Sequence, residues 1–499
     1  MKAATSYGPV EGICQVGVYQ FLGIPYAAPP VGALRFRPPQ PPAPWTNVRS
    51  CRSYGPAAPQ FAVKGLALLQ EGERISEDCL YLNITTPGCD GKKRPVLFWI
   101  HGGAFQKGSA SVGLDPIVFA KQGIVVVSIN YRLGVLGFLD VSSVFGEEYR
   151  SSGNNGILDV LAALRFVRKN IEAFGGDPEN ITVMGQSAGA KLAASLQTSP
   201  LVKGLFSKAI CCSGAAQTLR DRQTAAAVSA SFFERLSARS IRSESLLTLP
   251  WKEIIEYQKD IFYGLNLHIV GPVCDDYVFT NQDPLASIAD FSGNPVPTLL
   301  GTNRDEIELY CKVYEFTDLT QESAFRLFGN FAPAVLADYQ ARIAPLKDRS
   351  FHDAFVHFMT EYIYRAGTIQ LARALAAANQ AAYVYRLDWD RQSLKACHAS
   401  ESQFLMDMPM VITDMDTSPE HDRLGRAMKE SFLSFIRSGV PASALLPDWP
   451  VYDLAAPHMM RFDAVSEAVP IPPLSISPAM GHTVFSLDLP AAEKNASII

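Results

Sequence analysis

The segment from Ile157 to Gly189 constrains the fold more than any other part of this 499-residue chain. Ile157, Leu161, Leu164, Val167 and Ile171 recur at spacings of four, three, three and four, which lays one apolar stripe along a helix. The turn residues Gly175-Gly176-Asp177-Pro178 close that helix, and Ile181-Thr182-Val183-Met184 resumes as a strand. Upstream, Pro95-Val96-Leu97-Phe98-Trp99-Ile100 and Ile124-Val125-Val126-Val127-Ser128-Ile129 are continuous, β-branched or aromatic, and bounded by turn residues. Runs of this kind fit strands covered on both faces of a mostly parallel sheet. Strand, helix, strand reads as a right-handed crossover unit, so the expected class is α/β.

The strand ending at Met184 runs straight into Gly185-Gln186-Ser187-Ala188-Gly189, and a helix is predicted over Ala190–Gln197. A sharp strand-to-helix turn lifts a serine oxygen clear of the sheet edge. Its crowded backbone leaves no room for side chains two residues to either side, which accounts for both flanking glycines. The helix that follows aims its first amides and partial positive charge at the same point. Ser187 is therefore the candidate nucleophile. A second glycine cluster, His101-Gly102-Gly103-Ala104-Phe105, follows the buried run ending at Ile100. Small residues there let the backbone turn its N–H groups toward a site, where with the N–H of Ala188 they would hold an oxyanion. Gly103, Ala104 and Ala188 are the candidate donors, with Gly102, Phe105 and Gln186 close by.

Composition narrows what else the chain can be. Hydrophobic residues make up 48% and charged residues 19%, enough apolar side chain for a large core and too much for disorder. The net charge is −5 with no basic run, so no nucleic-acid partner is expected. No apolar stretch approaches the length of a membrane span. The first residues contain no apolar signal core, and nine cysteines do not describe a disulfide scaffold, so a cytoplasmic, reduced protein is expected. Residues 215–290 read as more helical and more polar, with patterns at Ala225–Leu236 and Ile254–Ile261. The Pro-rich stretches Pro29–Pro44 and Pro470–Pro473 read as surface wrapping. The simplest organisation is one large domain over 1–499 with a helical excursion around 215–290. A monomer with at most weak self-association is expected.

Many short blocks, in order, resemble the type-B members of the carboxylesterase/cholinesterase family. They include Phe21-Leu22-Gly23-Ile24-Pro25-Tyr26-Ala27, Leu34-Arg35-Phe36 and Ser76-Glu77-Asp78-Cys79-Leu80-Tyr81-Leu82-Asn83. The His101–Phe105 loop, Asn130-Tyr131-Arg132-Leu133-Gly134, Phe174–Pro178, the Ser187 turn, Gly301–Glu306 and Trp449-Pro450-Val451-Tyr452 continue the series. The likeness is strongest to bacterial members of the para-nitrobenzyl esterase type. It implies an α/β-hydrolase fold, a central, mostly parallel twisted sheet flanked by helices, with helical excursions forming a cap or regulatory region.

The resemblance also implies a triad of Ser187, Glu306 and His398, the last in His398-Ala399-Ser400-Glu401. Among the residues themselves His101 is the local rival for the base and Asp305 the rival for the acid. His101 reads as a structural donor for the glycine loop. The implied activity is hydrolysis of uncharged small-molecule carboxylic esters through an acyl-enzyme, with no metal and no organic cofactor. A lipase or amidase on the same triad and a non-catalytic interaction protein are the alternatives. Ion pairs Arg35–Glu77 and Arg132–Asp159 are implied as ties to the core. Three departures from the family pattern stand out. Gln186 replaces the usual Glu before the nucleophile, Ala58 occupies the place of the usual partner of Cys79, and Ser402-Gln403-Phe404-Leu405-Met406 follows the histidine block.

Overall fold

The computed structural model describes residues 1–61, 68–216, 219–262, 270–313, 333–405, 414, 416–476 and 484–485. Its centre is an eleven-stranded sheet. In chain order the strands are β1 (Ile13–Gln15), β2 (Val18–Pro25), β3 (Tyr81–Thr86), β4 (Arg94–Ile100), β5 (Val125–Ile129) and β6 (Gly176–Gln186). They continue as β7 (Lys208–Cys212), β8 (Thr298–Asn303), β9 (Ala382–Leu387), β10 (His458–Phe462) and β11 (Glu467–Pro470). The spatial order is β11-β10-β9-β8-β7-β6-β4-β5-β3-β2-β1. From β5 through β10 neighbouring strands are parallel, and the strands at both edges are antiparallel.

The continuous apolar runs become central strands because both faces of the sheet are covered. Val96, Phe98, Ile100, Val125, Val127 and Ile129 pack into one core, while Leu97, Trp99, Val126, Met184, Ile210 and Leu299 pack into another on the opposite face. Alternate residues serve alternate faces, as the period of a strand requires. The striped helix is α1 (Asn155–Asn170), with Ile157, Leu161, Leu164 and Val167 buried, and Ile171 opening a short 3₁₀ turn beyond it. The predicted turn at Gly175–Pro178 is shorter than the sequence suggests. Gly176 already pairs with Arg94, so Asp177 and Pro178 belong to the extended start of β6. Sheet pairing overrides the local turn propensity there.

Helices α2 (Ala188–Leu196), α3 (Arg222–Ala238) and α4 (Trp251–Phe262) follow, the last two within the expected helical excursion. Arg35 ties that excursion to the N-terminal region. Its Nε and Nη2 donate to Glu77 at 2.7 and 2.6 Å, and its Nη1 donates to the carbonyls of Leu246 and Leu249. Arg132 does the same for α1, donating to both oxygens of the fully buried Asp159 at 2.8 and 2.7 Å. Both implied ion pairs are present, and both are bidentate, the geometry that best offsets desolvation. Among the described residues no helix is long and apolar enough to cross a membrane.

Candidate active site

One residue makes the whole connection between β6 and α2. Ser187 sits at φ 56°, ψ −122°, a conformation costly for any residue with a side chain. Its N–H donates to the Cys212 carbonyl at 2.9 Å, and its own carbonyl accepts from Lys191 N–H at 3.0 Å. The turn is that tight because its flanks carry no side chains. A Cβ on Gly185 would lie 2.2 Å from the backbone of Gly189, and one on Gly189 would lie 2.0 Å from the Ile100 carbonyl oxygen. The helix accordingly begins at Ala188, two residues earlier than the sequence pattern predicts.

The glycine loop comes off the end of β4 beside this turn. Gly103, Ala104 and Phe105 lie in succession at φ 111°, 55° and 62°. Gly103 is obligatory, since a Cβ there would also meet the Lys107 carbonyl at 2.0 Å. The Gly103 carbonyl accepts from the N–H groups of Gln106 and Lys107, which pins the coil from behind. Among the described residues no acceptor is bonded to the N–H groups of Gly103, Ala104 or Ala188. Successive amides in such a coil make an anion-binding concavity. Gly102 brings the loop against the turn, for a Cβ there would sit 3.1 Å from Ser187 Cβ.

His101 holds this loop rather than the serine. Its Nδ1 lies 2.8 Å from the Gly102 carbonyl, which only a protonated nitrogen can bond, and its ring stacks on Tyr131 at 4.5 Å between centroids. Burial pushes the His101 imidazole down to about 4, which suits a neutral structural donor and not a base working near neutrality. Its Nε2 is buried with no partner among the described residues.

Glu306 and His398 come from loops at the ends of β8 and β9, ninety-two residues apart in sequence. Glu306 is fully buried, and its Oε2 lies 2.6 Å from His398 Nδ1. Its Oε1 accepts from Asn303 N–H at 2.8 Å, and its backbone carbonyl accepts from His398 N–H at 3.1 Å. Carboxylate and imidazole are therefore locked through both main chain and side chain. Asp305 points elsewhere, accepting from Arg304 Nε at 3.0 Å. The other imidazole nitrogen, Nε2, lies 3.4 Å from Gln186 Nε2, on the residue just before Ser187. The imidazole's free face is thereby set beside the strained turn.

Several residues of the site carry no sequence signal. Tyr364 and Tyr310 flank the imidazole with ring centroids 4.9 and 5.4 Å from that of His398, and their hydroxyls are 2.6 Å apart. Tyr364 lies in a π-helical turn, Glu361–Arg365, a local widening that often marks functional sites and that no composition pattern announces. Lys191, one helical turn past Ser187, is buried with its Nζ 5.3 Å from the Tyr364 ring centroid. Burial pushes its amine down to about 7, with Arg220 adding repulsion and Glu306 opposing the shift. Glu401, which closes the His398–Glu401 block, is fully buried and accepts from Asn303 Nδ2. The segment Ser402–Leu405 is buried, while Met406 lies outside the described residues. Among the described residues no group of three or more His, Cys, Asp or Glu side chains is arranged to hold a metal ion.

A mostly parallel sheet whose strand ends carry a strained serine turn, a coiled glycine loop and a buried Glu–His pair defines an α/β-hydrolase. The sequence profile of the carboxylesterase family matches residues 1–470. Para-nitrobenzyl esterase of Bacillus subtilis (strain 168) is 36% identical over 462 residues, covering 90% of this chain and 92% of that protein. Liver carboxylesterase B-1 of Rattus norvegicus is 31% identical, covering 91% and 87%. In three dimensions a Geobacillus stearothermophilus carboxylesterase at pH 6.2 superposes with a TM-score of 0.83 at 37% identity, over 94% of this chain and 98% of that one. The chain belongs to the carboxylesterase family and is a carboxylic ester hydrolase.

Proposed function

We propose that the protein is a serine esterase that hydrolyses uncharged small-molecule carboxylic esters through an acyl-enzyme. Ser187 Oγ attacks the ester carbonyl while His398 Nε2 takes its proton. Glu306 fixes the tautomer with the proton on Nδ1 and stabilises the imidazolium that forms. The N–H groups of Gly103, Ala104 and Ala188 bind the tetrahedral oxyanion. Collapse breaks the bond to the alcohol, which leaves with the proton from His398. Water, activated by the same imidazole, then releases the acid and restores Ser187.

The observation that carries this reading is the position of His398, with Nδ1 2.6 Å from a buried carboxylate and Nε2 beside the residue that precedes Ser187. A non-catalytic scaffold is the weaker reading, because serine, glutamate and histidine are all retained. The cytoplasm fits the chemistry of the chain as its location, since all nine cysteines are free thiols and seven of them are buried. The test is turnover of p-nitrophenyl esters from acetate to palmitate. Ser187→Ala lowers kcat by a factor on the order of 10⁶ while leaving the fold intact. A variant keeping more than a few per cent of the wild-type rate sinks the assignment.

A further inference from the structure

Three buried cations border the reacting residues, and the reaction as described uses none of them. Lys107, two residues past the glycine loop, is only 8% exposed. Its side chain packs along that loop, for a Cβ on Gly103 would lie 3.2 Å from Lys107 Cγ. Arg220 is buried, and its guanidinium lies over the bare Gly271. A Cβ there would meet Arg220 Nη1 at 2.3 Å and Phe105 Cδ2 at 3.2 Å. One cation thus stands at each end of the Gly103–Phe105 coil. Lys191 stands on the serine side, where a Cβ on Gly214 would lie 2.9 Å from Lys191 Cγ and 2.6 Å from the Ser187 carbonyl oxygen.

A cation inside a large domain is expected to be paired, because taking it out of water is costly. Arg35 and Arg132 obey that rule, each gripping a buried carboxylate. Lys107 departs from it. Among the described residues its Nζ has no hydrogen-bond acceptor and no ion pair, and it rests on the face of the Phe61 ring, 5.0 Å from the centroid. A ring face attracts an ammonium without consuming any of its three N–H donors. Arg220 offers five donors in a planar fork that matches a carboxylate, so it can grip one while keeping its other bonds. Its main chain is fixed, with the N–H donating to the Pro272 carbonyl at 2.9 Å and the carbonyl accepting from Cys274 N–H at 2.8 Å. The guanidinium is thereby held beside Phe105. Burial pushes Lys107 down to about 8 and Arg220 down to about 9, and an anion between them would oppose both shifts.

We propose that the site takes esters carrying a second, free carboxylate, which Lys107 and Arg220 hold while the ester carbonyl sits against the coil between them. This rests on the esterase reading and widens its substrates from uncharged esters to anionic ones. Half-esters of dicarboxylic acids are the simplest members of that class. The chemistry is unchanged: water cleaves the acyl–oxygen bond and yields an alcohol and an acid, one of which bears the extra carboxylate. Lys191 adds to the positive field from the serine side, against the opposing charge of Glu306. The extra carboxylate belongs either to the acyl half or to the alcohol half of the ester, and the two are told apart by experiment.

Matched substrate pairs at neutral pH and constant ionic strength provide the test. Monoethyl glutarate and ethyl valerate differ by a carboxylate in place of a methyl at the end of the acyl chain. The pair 4-acetoxybutyrate and butyl acetate differ in the same way on the alcohol. The expected kcat/KM is at least about tenfold higher for the anionic member of one pair, and that pair identifies the half of the ester that carries the charge. Lys107→Met lowers the quotient roughly tenfold, and Lys107→Arg restores it. Arg220→Gln lowers it too where that variant folds, and Lys107 decides where it does not. Each quotient compares two substrates on one enzyme, so losses of folded protein cancel. Quotients at or below one for both pairs overturn the proposal, and so does a quotient that Lys107→Met leaves unchanged. The second readout is calorimetric binding of the favoured anionic ester to Ser187→Ala protein, tighter than that of its neutral partner and weakened by adding Lys107→Met. Equal binding of the two esters overturns the proposal even where the esterase reading stands. If Ser187→Ala still turns over, the esterase reading fails, and the substrate quotient alone judges the carboxylate site.

Discussion

The two sides of the site are held by different physics. At the ends of β4 and β6 the geometry is made by backbone: Ser187, Gly103, Ala104 and Phe105 all lie at positive φ, and glycines occupy the points of closest approach. At the ends of β8 and β9 it is made by side chains, where Glu306, His398, Asn303 and Glu401 are buried polar groups bonded to one another, the first two across ninety-two residues of sequence. The first side stores strain that neighbouring main chain must enforce. The second stores electrostatic free energy, which a change of one atom can redirect with little change of shape. The lesson is that equally severe mutations on the two sides are expected to fail in different ways.

The largest effect that sharpens this contrast is Glu306→Gln. Asn303 N–H still finds an oxygen, so the fold and Tm are expected to stay close to wild type. The new amide then faces His398 Nδ1 with a donor and drives the imidazole proton onto Nε2, the nitrogen that accepts from Ser187 in the proposed reaction. Loss of the correct tautomer in this way costs on the order of 10⁴ in kcat. Steady-state kinetics and a thermal melt together check it. A variant that loses activity only in proportion to lost folded protein breaks the contrast.

Gly189→Ala is the converse. The added Cβ would fall 2.0 Å from the Ile100 carbonyl oxygen, which is main chain of the central strand β4 and has nowhere to go. Overpacking against a backbone of this kind costs about 3 kcal/mol. Stability and activity are expected to fall together, with the denaturation midpoint reporting the first and active-site titration the second. Unchanged stability with lost activity would mean that this side, too, is held by side chains.

The contrast also explains what could be read in the sequence. Backbone demands are local, so they leave local marks: continuous runs such as Val125–Ile129, the paired Gly185 and Gly189, and the Gly102-Gly103 cluster all stand in the letters. Side-chain partnerships over long separations leave none. The residues alone kept Asp305 open beside Glu306, and it is Arg304, holding Asp305 away, that separates them in space. Glu306 and His398 were legible only through resemblance to a family. Tyr364 and Lys191 were not legible at all, and Asn303 and Glu401 stood in the letters only as members of the Gly301–Glu306 and His398–Glu401 blocks, without the bond between them, because each acquires its contacts from elements distant in sequence. Where local pattern failed, at Gly176–Pro178, a pairing with Arg94 on another strand had decided the outcome.

The smallest effect tests where the two sides meet. Gln186 belongs to the backbone side by position, being the last residue of β6, and to the side-chain side by contact, with Nε2 3.4 Å from His398 Nε2. It is buried, so little solvent screens what it presents to the imidazole. Gln186→Glu places a carboxylate there. A negative charge at that distance favours the protonated imidazole, and a base must be neutral to act, so the acid limb of kcat/KM moves to higher pH. The expected displacement is roughly one unit, the low end of the one to three units seen for close charge pairs, because the new carboxyl is itself disfavoured by burial. The fold is expected to survive, since Gln and Glu are nearly isosteric and Gly102 leaves the pocket for either. Two pH–rate profiles on one ester at constant ionic strength decide the matter. A limb that stays in place, or moves to lower pH, would mean that the charge beside Ser187 and the charge on His398 are insulated from each other, and the two sides of the site would then be electrostatically separate.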